Sequence, residues 1–283
     1  MMELRRIGFA FNPYNVEARA VLERAHAWCA TNRVEAWDAR AEDRGAIAEA
    51  CASGTDLVCV LGGDGTFLRS ASAIGETGVP ALGINLGRVG FLAKVETDGL
   101  EGALDQVVVG DYTVEDRFRI EAAIVHPDGE VVERHACLNE VVVARGRRVR
   151  MIRLEVEVSG SHLATYVADA VVVATPTGST AYSFSAGGSI LDPRLRNMII
   201  TPVAAYLSPL HSVVAGEDHV VQLTLREASD PAIVSIDGQW DVELAPGDRV
   251  EVRALPEPLR LLEPAGATPF YDLLRTKAGL LPY

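Results

Sequence analysis

Basic side chains are in short supply. The 283 residues carry 26 Lys and Arg against 39 Asp and Glu, a formal charge of −13. A general nucleic-acid binder or a protein held on an anionic membrane depends on a basic face, so this balance argues against both. Cysteine is also scarce. Cys29, Cys51, Cys59 and Cys137 share no metal-ligand spacing and lie in apolar runs, which reads as buried free thiols rather than disulfides or a zinc site. No segment approaches the roughly 20 apolar residues needed to span a bilayer. The basic start, Met1 to Arg6, runs into Gly8, Asn12 and Pro13 instead of the short apolar stretch of a secretory signal, so a cytoplasmic location is expected. There is no internal repeat and no low-complexity tract. What remains is ordinary for a globular protein, with 48% apolar and 23% charged residues and enough chain for two domains, each with its own core.

One stretch organises the rest. Leu57 to Leu61 is apolar at consecutive positions, as in a parallel strand covered on both faces. It stops in Gly62, Gly63, Asp64, Gly65 and Thr66, and a helix follows. Glycines free the backbone to approach phosphate, and a helix start offers it unpaired N–H groups and a positive dipole end. Asp64 is out of place among phosphate donors, where a carboxylate repels the ligand unless it takes a proton, meets magnesium or orients a hydroxyl. The plain alternative is a βα turn in which Asp64 caps the helix.

Before this stretch, residues 5 to 11 read as a strand ended by Asn12-Pro13. Ala18, Leu22, Ala25 and Cys29 form one helical stripe, Val34 to Trp37 a short strand and Glu42 to Ala52 a helix. Strands alternating with helices predict a Rossmann-like parallel α/β domain, with ligands beyond the carboxyl ends of its strands. After it come a strand at Ala81 to Asn85, a second glycine-rich loop from Leu86 to Leu92 that is expected to face the first, and a helix bearing Leu100, Ala103, Leu104 and Val107. The apolar period then changes to two at Ile120-Ala122-Ile124, Ile152-Leu154-Val156-Val158 and Val221-Leu223-Leu225, which predicts a mostly-β second domain of sandwich type. The expected division is 1–111 with a returning tail at 264–283, against 112–263. Pro256, Pro258 and Pro264 read as a stiff connection, and Phe270, Leu273 and Leu274 as the apolar face of a terminal helix.

Two later motifs carry chemistry. Asn139-Glu140 precedes the strand Val141-Val142-Val143, and at a strand mouth such a pair suits vicinal hydroxyls and a base edge, or simply a surface cap. Asp169-Ala170-Val171-Val172-Val173-Ala174 leads into Thr175 to Gly188, where seven of fourteen residues bear hydroxyls. Pro176 ends the strand, Ser179 reads as the cap of a short helix, and the hydroxyl density exceeds what a structural turn needs.

Gly62-Gly63-Asp64-Gly65-Thr66, Asn139-Glu140 and Thr175 to Gly188, in this order and spacing, closely resemble the NAD kinases, over nearly the whole chain. The glycine-aspartate loop alone is shared with phosphofructokinases and with diacylglycerol and sphingosine kinases, whereas the later stretch is far more specific. Asp237-Gly238-Gln239 and Phe270 to Lys277 also look like the family. The resemblance implies an α/β domain, a β-rich domain and a tail returning to the first, with NAD between the domains. Asp64 would take the proton of the adenosine 2′-hydroxyl, and Gly62, Gly63 and Gly65 would let phosphates approach. Asn139 and Glu140 would hold NAD hydroxyls and base, Glu140 as a charged acceptor. Asp169 would serve the nicotinamide ribose, Thr180, Ala181, Tyr182, Ser183 and Ser185 the adenine, and Arg150 and Gln239 would lie near the ligand.

By the same resemblance the phosphoryl donor is ATP or polyphosphate, magnesium or another divalent cation accompanies it, no protein metal ligands are assigned, and the chain forms a homodimer or homotetramer. One departure stands out. After Thr201-Pro202 many relatives carry a histidine and an Arg-Pro pair, whereas this chain reads Val203-Ala204-Ala205-Tyr206, so His211 has no such counterpart and Ala204 would line the pocket wall. A lipid kinase built on the same loop, or a sensor that binds NAD without transferring phosphate, are the competing readings. The hydroxyl-rich stretch favours a polar dinucleotide over a lipid, and retention of Asp64 favours catalysis over sensing.

Overall fold

A computed structural model describes residues 4–87, 89–147, 150–208 and 210–277. The chain forms two compact units, Met1–Asp116 with Glu257–Tyr283, and Arg117–Pro256.

The first unit alternates β1 (Arg6–Phe11), α1 (Ala18–Asn32), β2 (Glu35–Arg40), α2 (Arg44–Ala52), β3 (Leu57–Leu61), α3 (Asp64–Gly75), β4 (Ala81–Asn85), β5 (Ala93–Glu96), α4 (Leu100–Val109) and β6 (Tyr112–Arg117). β3 lies between β1 and β4, parallel to both, which is why five consecutive apolar residues are buried there. Leu57, Cys59 and Leu61 share one core with Ala18, Val21, Ala25, Trp28 and Cys29 of α1 and with Leu100 and Leu104 of α4. The pleat turns Val58 and Val60 to the other face, and α2 and α3 pack on one another and on β1 and β3. The predicted stripe of α1 is therefore shifted slightly, with Val21 and Trp28 taking buried places where Leu22 was expected.

The second unit comprises β7 (Ile120–Val125), β8 (Val131–Cys137), β9 (Glu140–Ala144), β10 (Ile152–Val158), β11 (Ser161–Ala168), β12 (Ala170–Ala174), α5 (Tyr182–Ser185), β13 (Asn197–Val203), β14 (Val213–Gly216), β15 (Val221–Glu227), β16 (Ala232–Ile236), β17 (Trp240–Leu244) and β18 (Arg249–Ala254). Two sheets, ordered β11-β10-β15-β18-β7-β8 and β14-β13-β12-β9-β16-β17, enclose one core. Ile124, Leu154 and Leu223 come to it from the first sheet, and Val141, Val171 and Val173 from the second. β12 is apolar throughout because its other residues, Val172 and Ala174, pack with Ile199 on the opposite face. This is the expected sandwich.

The boundaries differ from expectation. β19 (Leu259–Pro264), read as a proline-stiffened connection, is a strand of the first sheet, parallel to β4 through Leu261 and Ala81. β6 joins that sheet beside β19, so residues 112–116 and 257–263 belong to the first unit. Pro264 ends β19, where a missing N–H costs the ladder nothing. Lys94 of β5 and Glu263 of β19 form a nearly buried ion pair inside the same unit.

Helix α6 (Phe270–Lys277) follows, with Leu273 buried at 5% exposure and the Phe270 ring 5.6 Å from that of Phe91. Each such apolar side chain contributes about 1.5–3 kcal/mol on burial. Removing residues 265–283 is therefore expected to lower the melting temperature of the first unit, as scanning calorimetry would show. An unchanged transition would mean that α6 contributes no stability.

Candidate functional site

In the first unit the chemistry gathers where β3 ends. The Gly62 N–H is not presented to a ligand. It donates to the Ile84 carbonyl at 2.8 Å and so extends the ladder with β4. Gly63 is the N-cap of α3, and its carbonyl accepts the N–H groups of Thr66 and Phe67 at 2.9 and 3.1 Å. Asp64 and Gly65 open the helix, where amides have no carbonyl one turn back to bond and the dipole is positive.

Asp64 does not cap its own helix. Its Oδ2 accepts the Phe91 N–H at 2.8 Å, and its Oδ1 accepts those of Leu92 and Ala93 at 3.0 and 3.2 Å. The second loop does meet the first, then, through three backbone amides on one carboxylate. Arg88 of that loop lies outside the described residues. Gly90 is what permits the approach, since a Cβ there would stand 1.9 Å from Asp64 Oδ1. A carboxylate has about four lone-pair positions. Three are filled here, which leaves one, on Oδ2. Behind this segment the Phe91 ring stacks on Phe270 and lies under Lys277 Nζ at 5.2 Å, so α6 supports the loop that Asp64 holds. Asn85, at the end of β4, is 2% exposed and its Nδ2 has no hydrogen-bond partner. Sequence reading treated it as the end of a strand; the signal was an amide closing a buried parallel strand.

In the second unit the two later motifs come together. The Thr175 N–H donates to the Asn139 carbonyl at 2.8 Å, and Gly178 sits so close that a Cβ would fall 2.1 Å from that same oxygen. Many of the hydroxyls serve the turn itself, contrary to expectation. Thr175 donates to the Leu138 carbonyl, Ser179 to that of Pro176 and Thr180 to that of Thr177. Ser179 does not cap a helix; its Oγ accepts the Leu191 N–H at 2.9 Å. Ser183 is fully buried and paired with Thr201 at 3.1 Å, so its hydroxyl does not line an open surface. A chain that leaves its ladder beside buried strands must satisfy its polar groups locally, and small hydroxyls do so.

Three buried oxygens are left without partners around this turn: Asn139 Oδ1, Glu140 Oε2 and Thr177 Oγ1. Unpaired buried polar atoms are costly, which singles these three out as candidate ligand contacts. Burial pushes the Glu140 carboxyl up to about 8, with the nearby Asp237 charge acting in the same sense and the Tyr182 N–H opposing both. Burial thus favours the neutral acid over the charged acceptor expected from the sequence.

The remaining expected residues are more dispersed. Asp169 accepts from Arg145 Nε at 2.8 Å, a partner that sequence reading did not name. Ala204 is exposed just past β13 in the left-handed region, with φ of 50°. Arg150 is exposed ahead of β10, Thr180 and Ala181 are half-buried, and Tyr182 and Ser185 are exposed on the short helix. Gln239 lies in the turn joining β16 to β17, its N–H bonded to the Ile236 carbonyl.

Comparison with known proteins settles the family. The sequence profile of the ATP-NAD kinase N-terminal domain matches residues 7–112, and that of the ATP-NAD kinase C-terminal domain residues 138–263. The chain is 41% identical over 222 residues to an NAD kinase of Heliobacterium modesticaldum, covering 78% of each, and 35% identical to one of Citrifermentans bemidjiense, covering 97% of this chain and 98% of that one. The chain belongs to the NAD kinase family. Its members are phosphotransferases acting on NAD, and the family's two-part fold accords with solved structures. Yeast NADH kinase complexed with NADH superposes with a TM-score of 0.84 at 21% identity, covering 99% of this chain and 89% of that one. An Archaeoglobus fulgidus NAD kinase in complex with ATP gives 0.79 at 24%, covering 98% and 100%.

Within an NAD kinase chain the two clusters make separate demands on experiment. Gly90→Ala is expected to push the Asp64 carboxylate off its amides and lower kcat about tenfold or more, with a smaller change in KM for NAD. Steady-state kinetics check this, and an unchanged kcat would show that the amide contacts are incidental. For Glu140 the sign follows from proton binding. The folded protein holds the Glu140 proton up to about pH 8, whereas an ordinary glutamic acid loses it near 4.5, so the folded state binds more protons across that window and stability declines as pH rises through it. Glu140→Gln carries no such penalty. Its melting temperature relative to wild type should rise from pH 5 to pH 8, and a difference independent of pH would show that Glu140 ionises normally.

Proposed function

We propose that this chain transfers the terminal phosphoryl group of ATP to the adenosine 2′-hydroxyl of NAD, with Asp64 as general base. The observation that carries the reading is the Asp64 carboxylate, fixed by three amides at the start of α3 with a single lone pair free on Oδ2. In the transfer the 2′-oxygen forms a bond to the γ-phosphorus and the β–γ bridging P–O bond breaks. ADP departs with that electron pair, and the hydroxyl proton passes to Asp64 Oδ2. Magnesium bound to ATP would supply charge neutralisation at the phosphate oxygens.

The chain's own contribution is positional. Helix-start amides at Asp64 and Gly65 face anionic oxygens. Asn139 Oδ1 and Thr177 Oγ1 supply acceptors for NAD hydroxyl and base N–H groups. Neutral Glu140 spares the dinucleotide phosphates a further negative charge. ATP is favoured as donor because a solved relative of the same fold is described in complex with it.

Incubating purified protein with NAD, ATP and magnesium should yield NADP and ADP in equal amounts. NAD binding without NADP would favour a sensor, and phosphorylation of a diacylglycerol or sphingoid base would favour a lipid kinase. Asp64→Asn should lower kcat by roughly 10²-fold or more while calorimetric NAD affinity changes little. Near-normal turnover with weakened NAD binding would reverse the roles assigned here.

A further inference from the structure

We infer that Asp237 is the positioning residue of the NAD-contacting turn, a role that rests on reading Asn139 and Glu140 as ligand contacts. Asp237 stands at the hairpin between β16 and β17, its backbone in the left-handed region with φ of 50°. From there its carboxylate reaches a turn almost a hundred residues earlier in the chain. Oδ2 accepts the Leu138 N–H at 2.8 Å, and Oδ1 accepts those of Asn139 and Glu140 at 2.8 and 3.0 Å, together with the Cys137 Sγ–H at 3.0 Å. Its own N–H donates to the Glu140 carbonyl at 3.0 Å, so the grip is reciprocal.

Four consecutive residues thus converge on one carboxylate. An amide chain that points three successive N–H groups inward at a single anion cannot also run as a regular strand, where successive groups alternate in direction. β9 accordingly begins only at Glu140. Asn139 and Glu140, adjacent residues that a pleated strand would send to opposite faces, both end with a buried, unpartnered oxygen beside the Thr175 to Tyr182 turn, where the Thr177 hydroxyl is also unpartnered. Asp237 touches none of the groups left open for ligand. It acts by fixing the backbone that presents them. Burial drives its carboxyl up, and the thiol and the three amides oppose that rise by bonding to the charged form. Cys137, a buried thiol with no other assigned role, is one of the four donors.

The test uses the intact enzyme. Asp237→Asn keeps the volume but replaces one acceptor oxygen with an NH2 that faces amide donors. The expected result is a KM for NAD raised about tenfold or more, as for loss of a hydrogen bond to a charged group, with KM for ATP and kcat each within about threefold. Asn139→Ala, measured alongside, should raise KM for NAD in the same way. If Asn139→Ala weakens NAD and Asp237→Asn leaves KM within twofold, or lowers kcat instead, the positioning role is overturned while the ligand reading stands. If Asn139→Ala itself leaves KM unchanged, the ligand reading falls and this proposal falls with it. Should Asp237→Asn not fold, amide hydrogen exchange in the wild-type protein decides. Strong protection of Leu138, Asn139 and Glu140 supports the clamp, and exchange at the rate of an open turn overturns it.

Discussion

One carboxylate gathering a run of backbone amides is the interaction on which both units depend. In the first unit Asp64 collects the N–H groups of Phe91, Leu92 and Ala93, and in the second Asp237 collects those of Leu138, Asn139 and Glu140. Hydrogen bonds to a charged acceptor contribute about 1.5–3 kcal/mol each, more than those between neutral partners. Three on one carboxylate offset much of the cost of withdrawing it from water. They also select a single backbone path where a loop would otherwise sample several. Each clamp lies where a buried strand meets a loop, so the rigidity of the sheet is passed to the residues that carry chemistry.

The charge balance explains why the clamps matter for ligand binding. A chain of net charge −13 gives a dinucleotide and ATP no general attraction. Attraction has to be local, and the open amides at the start of α3 are one source of it. Repulsion is reduced within each unit as well. Asp64 spreads its charge over three amides, Asp169 is paired with Arg145, and Glu140 keeps its proton to about pH 8. Three acidic side chains in motifs of a phosphate-handling protein are thereby screened in three different ways.

Support from behind is less visible. Phe91 has its N–H on Asp64 and its ring against Phe270, which ties the placement of α6 to the carboxylate. β19 lies in the first sheet next to β4, whose end carries Asn85. The returning chain is therefore part of the framework that carries the candidate site, rather than an appendage packed on it.

Much of the architecture was legible in the residues. The consecutive apolar run of β3, the helical stripes of α1 and α4 and the period-two alternation of β7, β10 and β15 are local signals that hydrophobic burial reads directly, and the three motifs point to the family without any coordinates. Other features depend on partners distant in sequence. Nothing local marks Leu259 to Pro264 as a strand, because its place is set by β4, some 180 residues earlier. Asp237 in an Asp-Gly turn looks like turn chemistry alone until Leu138 to Glu140 are brought under it. The hydroxyls of Thr175 to Ser185 could not be sorted by composition into those that close the turn and those left open, since that depends on which carbonyls folding puts within reach. By itself the sequence determined the element types, the two-part plan and the chemistry available, since these follow from period and side-chain type. Only the tertiary structure decided which carboxylates are spent on backbone amides, which one keeps its proton and which polar atoms remain free, because hydrogen-bond satisfaction and desolvation are properties of neighbours in space.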